Sequence, residues 1–117
     1  MSDVTIYHNP QCTKSRLTLE LLKERGIEPK VVEYLKNPPS EAELKEILKK
    51  LGMFAHELMR TNEQEYMQLG LMNSRYTEDG LIEIMVKHPK LIERPIVVVG
   101  EKAAIGRPPE NVLAILG

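Results

Sequence analysis

Hydrophobic and polar positions in the first third of the chain predict a strand, a helix and a second strand. Residues 4–7 alternate and are rich in β-forming side chains, which predicts a strand. Leucines recur at helical spacing over residues 13–25, and Gly26 is a typical C-cap for such a helix. Residues 30–34 predict a second strand. Because a helix connects them, the two strands should be parallel, with a right-handed crossover.

The middle of the chain, residues 40–88, shows only helical patterns. Ser40 and Glu43 form a capping-box signature ahead of an apolar helix face that closes at Gly52. Asn62 is placed to cap a later helix. Three further helices are expected in this stretch, over residues 55–59, 62–70 and 77–88. We therefore expect a helical block inserted between two β-containing parts.

The last third predicts a hairpin followed by a helix. Residues 96–99 are a continuous β-branched run, typical of a strand buried on both faces. A turn at residues 100–102 and a short antiparallel partner over 103–105 should follow. Pro108 and Pro109 suit the start of a terminal helix. The order βαβ, helices, ββα is that of one α/β domain spanning residues 1–117.

Composition excludes several classes of protein. With 117 residues, 42% hydrophobic and 28% charged, the chain is an ordinary globular domain. Its 16 basic and 17 acidic residues leave a net charge of -1, which disfavours a general nucleic-acid or membrane-surface binder. No long apolar run and no signal-peptide pattern is visible, so we expect a cytoplasmic protein. One cysteine excludes an internal disulfide and a cysteine-rich zinc site.

That single thiol, Cys12, is predicted to be reactive. It falls where a strand has ended and a helix begins, and helix N-termini carry partial positive charge that favours a thiolate. Its neighbours are polar rather than apolar, with Lys14 and Arg16 downstream and His8 upstream. Ser15 lies within one helical turn, where its hydroxyl could reach the sulfur.

Two spacings narrow the chemistry of Cys12. A Cys-x-x-Cys pair is absent because the fourth position is Ser15, so a redox cycle needs a thiol from another molecule. An arginine six residues after the cysteine, as in a phosphatase loop, is also absent, since that position is Thr18. His8 with Cys12 lacks a third ligand, so no metal site is expected.

Three arginines are candidates for binding an oxyanion, namely Arg60, Arg94 and Arg107. Arg94 and Arg107 flank the predicted hairpin, which places them at the same end of the sheet. The planar guanidinium suits an oxyanion because it donates two parallel hydrogen bonds.

Four separated segments, which together span essentially the whole chain, resemble one known family. Residues 7–15 are similar to the His-Asn-Pro-x-Cys-x-x-Ser signature of the glutaredoxin-coupled arsenate reductases, the ArsC-like family. Residues 93–98 and 105–108 are similar to its two later arginine motifs, and residues 58–60 to its helical one. The likeness is greatest to the short, YfgD-like members, which lack the C-terminal extension of the longer reductases.

The resemblance implies a thioredoxin-like fold, with a mixed four-stranded sheet and a helical insertion, and reduction of arsenate to arsenite. Cys12 would be the nucleophile, His8 would help keep it ionised, and Ser15 would hydrogen-bond the thiolate. Pro95 would be a cis proline facing the cysteine. Substrate binding would involve Arg60, Arg94, Arg107 and Asn9. No bound cofactor is implied; glutathione would be a co-substrate and glutaredoxin the protein partner.

Two other functions use the same fold. Spx-type regulators bind RNA polymerase, but they typically carry a Cys-x-x-Cys switch where this chain has Ser15. A glutathione-dependent thiol-disulfide oxidoreductase would use Cys12 but would have no use for three arginines. The arginines therefore favour oxyanion chemistry.

Overall fold

The computed structural model describes residues 3–72 and 75–116. The chain divides into two compact units, one formed by Met1–Asn37 with Arg94–Gly117 and the other by Pro38–Glu93. The second unit therefore interrupts the first in sequence. Among the described residues, no helix is long and apolar enough to cross a membrane.

The first unit contains the sheet and the helix that follows its first strand. Its elements are β1 (Val4–His8), α1 (Thr13–Glu24), β2 (Lys30–Glu33), β3 (Ile96–Val99), β4 (Lys102–Ile105) and a 3₁₀ helix (Pro109–Ile115). The strand order is β2-β1-β3-β4. β1 is parallel to β2 and antiparallel to β3, and β3 is antiparallel to β4. The predicted mixed four-stranded sheet is confirmed.

The core of this unit lies between the sheet, α1 and the terminal 3₁₀ helix. Each contributes fully buried aliphatic side chains: Ile6, Leu22, Val97 and Val112. Full burial of each such side chain contributes roughly 1.5–3 kcal/mol. This packing fixes α1 against β1, and so fixes the chain between them, where Cys12 lies.

The second unit is helical in its described residues. Its elements are α2 (Glu41–Leu51), α3 (Ala55–Leu58), α4 (Gln64–Gln68), α5 (Glu78–Lys87) and a 3₁₀ helix (Pro89–Leu91). The predicted capping box is present, with Ser40 accepting from the Glu43 amide at 3.1 Å and Glu43 accepting from the Ser40 amide at 3.0 Å. Gly52 closes α2 in the left-handed conformation, at φ 67°.

Two local predictions differ from the structure. Asn62 does not cap α4, whose N-cap is Glu63. The terminal helix, Pro109–Ile115, is of the 3₁₀ type rather than an α-helix. The difference at Asn62 lies at a helix end and amounts to one residue, within the usual uncertainty of helix boundaries. The predicted end of α1 at Gly26 is confirmed, since Gly26 follows the last helical turn with φ 74° and its amide donates to the Lys23 carbonyl at 3.0 Å.

Gly106, at the end of β4, occupies a place with no room for a side chain. A Cβ there would lie 2.5 Å from Oγ1 of Thr18 and 2.8 Å from Cγ of Pro95. Its amide donates to the Pro95 carbonyl at 2.9 Å. The hairpin therefore packs directly on α1 immediately before Arg107.

We expect Gly106→Ala to destabilise the protein by about 1–3 kcal/mol, because the added methyl overpacks a filled contact. Urea denaturation measures this loss. Adding Thr18→Ala removes the nearest clash, so the double variant should recover part of it. A Gly106→Ala protein as stable as the unchanged chain would contradict the expected close packing.

Candidate active site

Cys12 is the N-cap residue of α1, directly after the loop that leaves β1. Its amide donates to the Asn9 carbonyl at 3.0 Å, and its carbonyl accepts from the Arg16 amide at 3.0 Å. The thiol is largely buried. The loop and the first helical turn thus fix Cys12 from both sides, and the predicted position at a helix start is confirmed.

Two guanidinium groups lie at this thiol. Nη1 of Arg107 is 3.9 Å from the Cys12 sulfur and donates to the Arg94 carbonyl at 3.1 Å. The Arg94 side chain also interacts with the sulfur. The two arginines flank the β3–β4 hairpin, so their predicted meeting at one end of the sheet is confirmed. The peptide bond between Arg94 and Pro95 is cis, as the resemblance implied.

Several groups act on the ionisation of Cys12. Burial raises the pKa of the thiol, but the Ser15 amide, the Arg94 guanidinium and the Lys14 amide outweigh it and hold the pKa below its usual value. The result is a thiol biased toward the thiolate, which is the nucleophilic form.

We expect the rate of Cys12 alkylation by iodoacetamide to rise with pH through a midpoint below that of an ordinary cysteine, about 8.5. The reason is that a depressed pKa leaves more thiolate at any pH beneath the usual midpoint. The control is the same chain unfolded in urea, where these contacts are lost. A native midpoint equal to or above the unfolded one would contradict the expectation.

The structure corrects the expected role of the Ser15 hydroxyl. It was expected on the thiolate, but Oγ lies 2.6 Å from Nδ1 of His8 and accepts from the Asn9 amide at 3.0 Å. The Asn9 amide takes one lone pair of Oγ, and the direction of the bond between Oγ and Nδ1 follows the imidazole tautomer. Ser15 therefore acts on Cys12 through its backbone amide, and its side chain joins the helix to β1.

His8 also differs from expectation. Burial lowers the pKa of its imidazole; Glu33 opposes this, and Arg16 and Lys23 add to it. Since an unperturbed histidine titrates near pH 6.5, His8 is mainly neutral at pH 7. An imidazolium therefore does not supply the positive charge that favours the thiolate. His8 instead holds Ser15, and with it the first turn of α1.

Asn9 shapes the loop before Cys12. Its Oδ1 accepts from the Gln11 amide at 3.0 Å, while its own carbonyl accepts from Cys12. These bonds account for the tight turn that delivers the thiol to the helix start. A contact between Asn9 and substrate stays a prediction.

Arg60 lies in the second unit, between α3 and α4. Its Nε is 3.3 Å from Glu63 and its Nη1 is 3.3 Å from Glu93, and its side chain is only 12% exposed. Its amide donates to the Leu91 carbonyl at 2.7 Å. Two carboxylates thus already face this guanidinium. Its role in binding an oxyanion stays a prediction.

Two features of the site were not predicted from the sequence. Gly106 holds the hairpin against α1, and only its position beside Arg107 hinted at a role. A second cis peptide bond joins Arg107 to Pro108, so a cis proline follows each of the two arginines at the thiol. Over residues 3–72 and 75–116, no group of three metal-binding side chains comes together.

Comparison with known proteins gives consistent matches. Residues 7–115 match the ArsC family. The uncharacterized protein YfgD of Escherichia coli K12 is 58% identical over 115 residues, covering 97% of each chain. An arsenate reductase of Neisseria meningitidis (strain MC58) is 49% identical, covering 99% of this chain and all of its own. The structure of an arsenate reductase from Vibrio cholerae superposes with a TM-score of 0.96 at 50% identity, covering 98% of each chain.

Proposed function

Because this chain belongs to the ArsC family, with a thioredoxin-like fold, we propose that it reduces arsenate to arsenite with Cys12 as the nucleophile. One observation carries the proposal: the thiol with the lowered pKa lies against the guanidinium groups of Arg94 and Arg107. Positive charge beside the sulfur also favours disulfide exchange, but a disulfide offers no oxyanion for two guanidinium groups to bind. Attack on a tetrahedral oxyanion needs both a nucleophile and cations that offset the negative charge of the oxygens.

In the first step, the Cys12 thiolate attacks arsenic and forms a sulfur–arsenic bond, while one arsenate oxygen takes up protons and leaves as water. Arsenic remains As(V). Arg94 and Arg107 offset the negative charge that would otherwise repel the thiolate, and they stabilise the charge that develops on the oxygens. Arg60 and Asn9 complete substrate binding in this proposal.

The electrons come from outside the chain, since Cys12 is its only cysteine. Glutathione condenses on the arsenic of the adduct, and a second oxygen leaves as water. A glutaredoxin thiolate then attacks the glutathione sulfur. The electron pair of the arsenic–sulfur bond stays on arsenic, which becomes As(III), and a glutaredoxin–glutathione disulfide forms. Water then releases arsenite and restores the Cys12 thiol.

The proposal is tested by incubating the purified protein with arsenate, glutathione and glutaredoxin, and measuring arsenite. We expect turnover that needs both thiol components. Mass spectrometry of protein mixed with arsenate and glutathione alone should show adducts on the peptide that contains Cys12. Cytoplasmic location, where glutathione is abundant, is part of the proposal.

Two results would contradict it. Reduction of a glutathionylated peptide without arsenate turnover would make the protein a thiol-disulfide oxidoreductase. Capture of RNA polymerase without either activity would make it a regulator of the Spx type. Ser15, where those regulators typically have a second cysteine, weighs against the latter.

A further inference from the structure

A cavity of about 320 Å³ lies beside α1 in the first unit, adjoining the thiol-bearing loop. It is lined by His8, Pro10, Arg16, Leu19, Glu20 and Lys23. Its volume is at the lower end of the range for small-molecule sites, roughly 300–1,000 Å³. The mechanism above uses none of its charged residues.

These charged residues form one stripe on α1. Arg16, Glu20 and Lys23 follow at spacings of four and three, which places them on the same helix face. Two cations thus alternate with one carboxylate above an apolar floor of Leu19 and Pro10. Throughout the described parts of the chain, none of the three charges takes part in an ion pair.

The stripe begins close to Cys12. Arg16 lies four residues along the helix, or about 6 Å at 1.5 Å per residue. Its Nη1 donates to the Pro10 carbonyl at 2.9 Å, which holds the guanidinium beside the loop that carries the thiol. A ligand anchored by this stripe can therefore extend a reactive group to the sulfur.

We propose that this cavity binds the γ-glutamyl end of glutathione, with Arg16 and Lys23 on its α-carboxylate and Glu20 on its α-ammonium group. At that end of glutathione, a negative carboxylate and a positive ammonium group are attached to the same carbon. The stripe offers two cations for the carboxylate and one carboxylate for the ammonium group. The inference rests on the proposed function, which names glutathione as the thiol that meets the Cys12 adduct.

Charge complementarity favours this ligand over a simple anion. Glu20 repels a dicarboxylate or an inorganic oxyanion, whereas it pairs with an ammonium group. The arrangement also keeps the reductant apart from arsenate, which is bound by Arg94 and Arg107. Both reactants can then be present at the thiol together.

The test uses S-methylglutathione, which has no thiol and cannot react, and measures its dissociation constant by calorimetry on the full chain. We expect Arg16→Ala, Lys23→Ala and Glu20→Gln each to raise this constant roughly tenfold or more, as for loss of a hydrogen bond to a charged group. The controls are Glu24→Gln and Arg25→Ala, exposed charges of the same types at the end of α1 and outside the cavity. They should leave binding unchanged.

A second ligand tests the orientation. The S-methylated analogue with a glutaryl group in place of γ-glutamyl lacks only the α-ammonium group. Glu20→Gln should not weaken binding of this analogue, since the carboxylate has nothing to pair with there. An equal loss for both ligands would overturn the assigned role of Glu20.

The outcomes separate this inference from the proposed function. If all three variants reduce arsenate with an unchanged KM for glutathione, the cavity does not bind glutathione, and the proposed arsenate reductase function still stands. If S-methylglutathione binds and the three variants weaken that binding, but the protein does not reduce arsenate, the glutathione site stands and the proposed reductase function fails. Absence of saturable binding to the unchanged chain would overturn the inference directly.

Discussion

Replacing Cys12 with serine is expected to lower arsenate turnover by roughly 1,000-fold or more, the scale seen when a catalytic nucleophile is removed. A serine hydroxyl stays protonated at pH 7, even beside the groups that favour the thiolate of Cys12. It is therefore a much weaker nucleophile. Arsenite release with glutathione and glutaredoxin measures the loss. Since the chain has one cysteine, no other thiol can take its place.

The same variant tests the covalent step. Mass spectrometry should show no arsenic or glutathione adduct on Cys12→Ser under conditions that modify the unchanged chain. Thermal unfolding provides the control, because the substitution is nearly isosteric and should preserve the fold. Turnover retained in a folded Cys12→Ser protein would rule out the proposed nucleophile.

Replacing Arg94 with alanine is expected to have the next largest effect. Removing one member of a desolvated charge contact costs about 2–5 kcal/mol, so kcat/KM should fall at least roughly thirtyfold. Because Arg94 lowers the pKa of Cys12, its loss should also move the alkylation midpoint of the thiol to higher pH. This second readout does not depend on arsenate.

Two further variants sharpen the test of Arg94. Arg94→Lys keeps the positive charge but loses the paired donors. Compared with Arg94→Ala, it should therefore bring the alkylation midpoint of Cys12 back toward that of the unchanged chain, while kcat/KM for arsenate recovers less. Arg25→Ala, an exposed arginine at the end of α1, should change neither. An unchanged midpoint in Arg94→Ala would show that the guanidinium does not act on the thiol.

The elements predicted best are those whose signals are local. The capping box at Ser40, the left-handed Gly52 and the parallel pairing of β1 with β2 all follow from short stretches of sequence. The meeting of Arg94 and Arg107 also follows, because a hairpin returns the chain to the edge where it began. The cis bond at Pro95 was implied by the family resemblance rather than by local preference.

The errors in the site arise from contacts between distant residues. Sequence spacing places Ser15 within reach of the sulfur, but it does not show that His8 competes for the same hydroxyl at 2.6 Å. Likewise, the burial that keeps His8 neutral depends on packing between β1 and α1. The crowding at Gly106 joins residues 88 positions apart in the chain. Such competition is visible only once the fold is known.

The β3–β4 hairpin offers a convenient attachment point for a reporter. Both arginines adjoin its open end, whereas its turn, at Gly100 and Glu101, lies beyond four successive residue pairs, which span three residue steps. At about 3.3 Å per residue the two ends are roughly 10 Å apart along the strands. A fluorophore or an affinity tag attached at the exposed turn would therefore label the protein without contacting Arg94 and Arg107 at the open end of the hairpin.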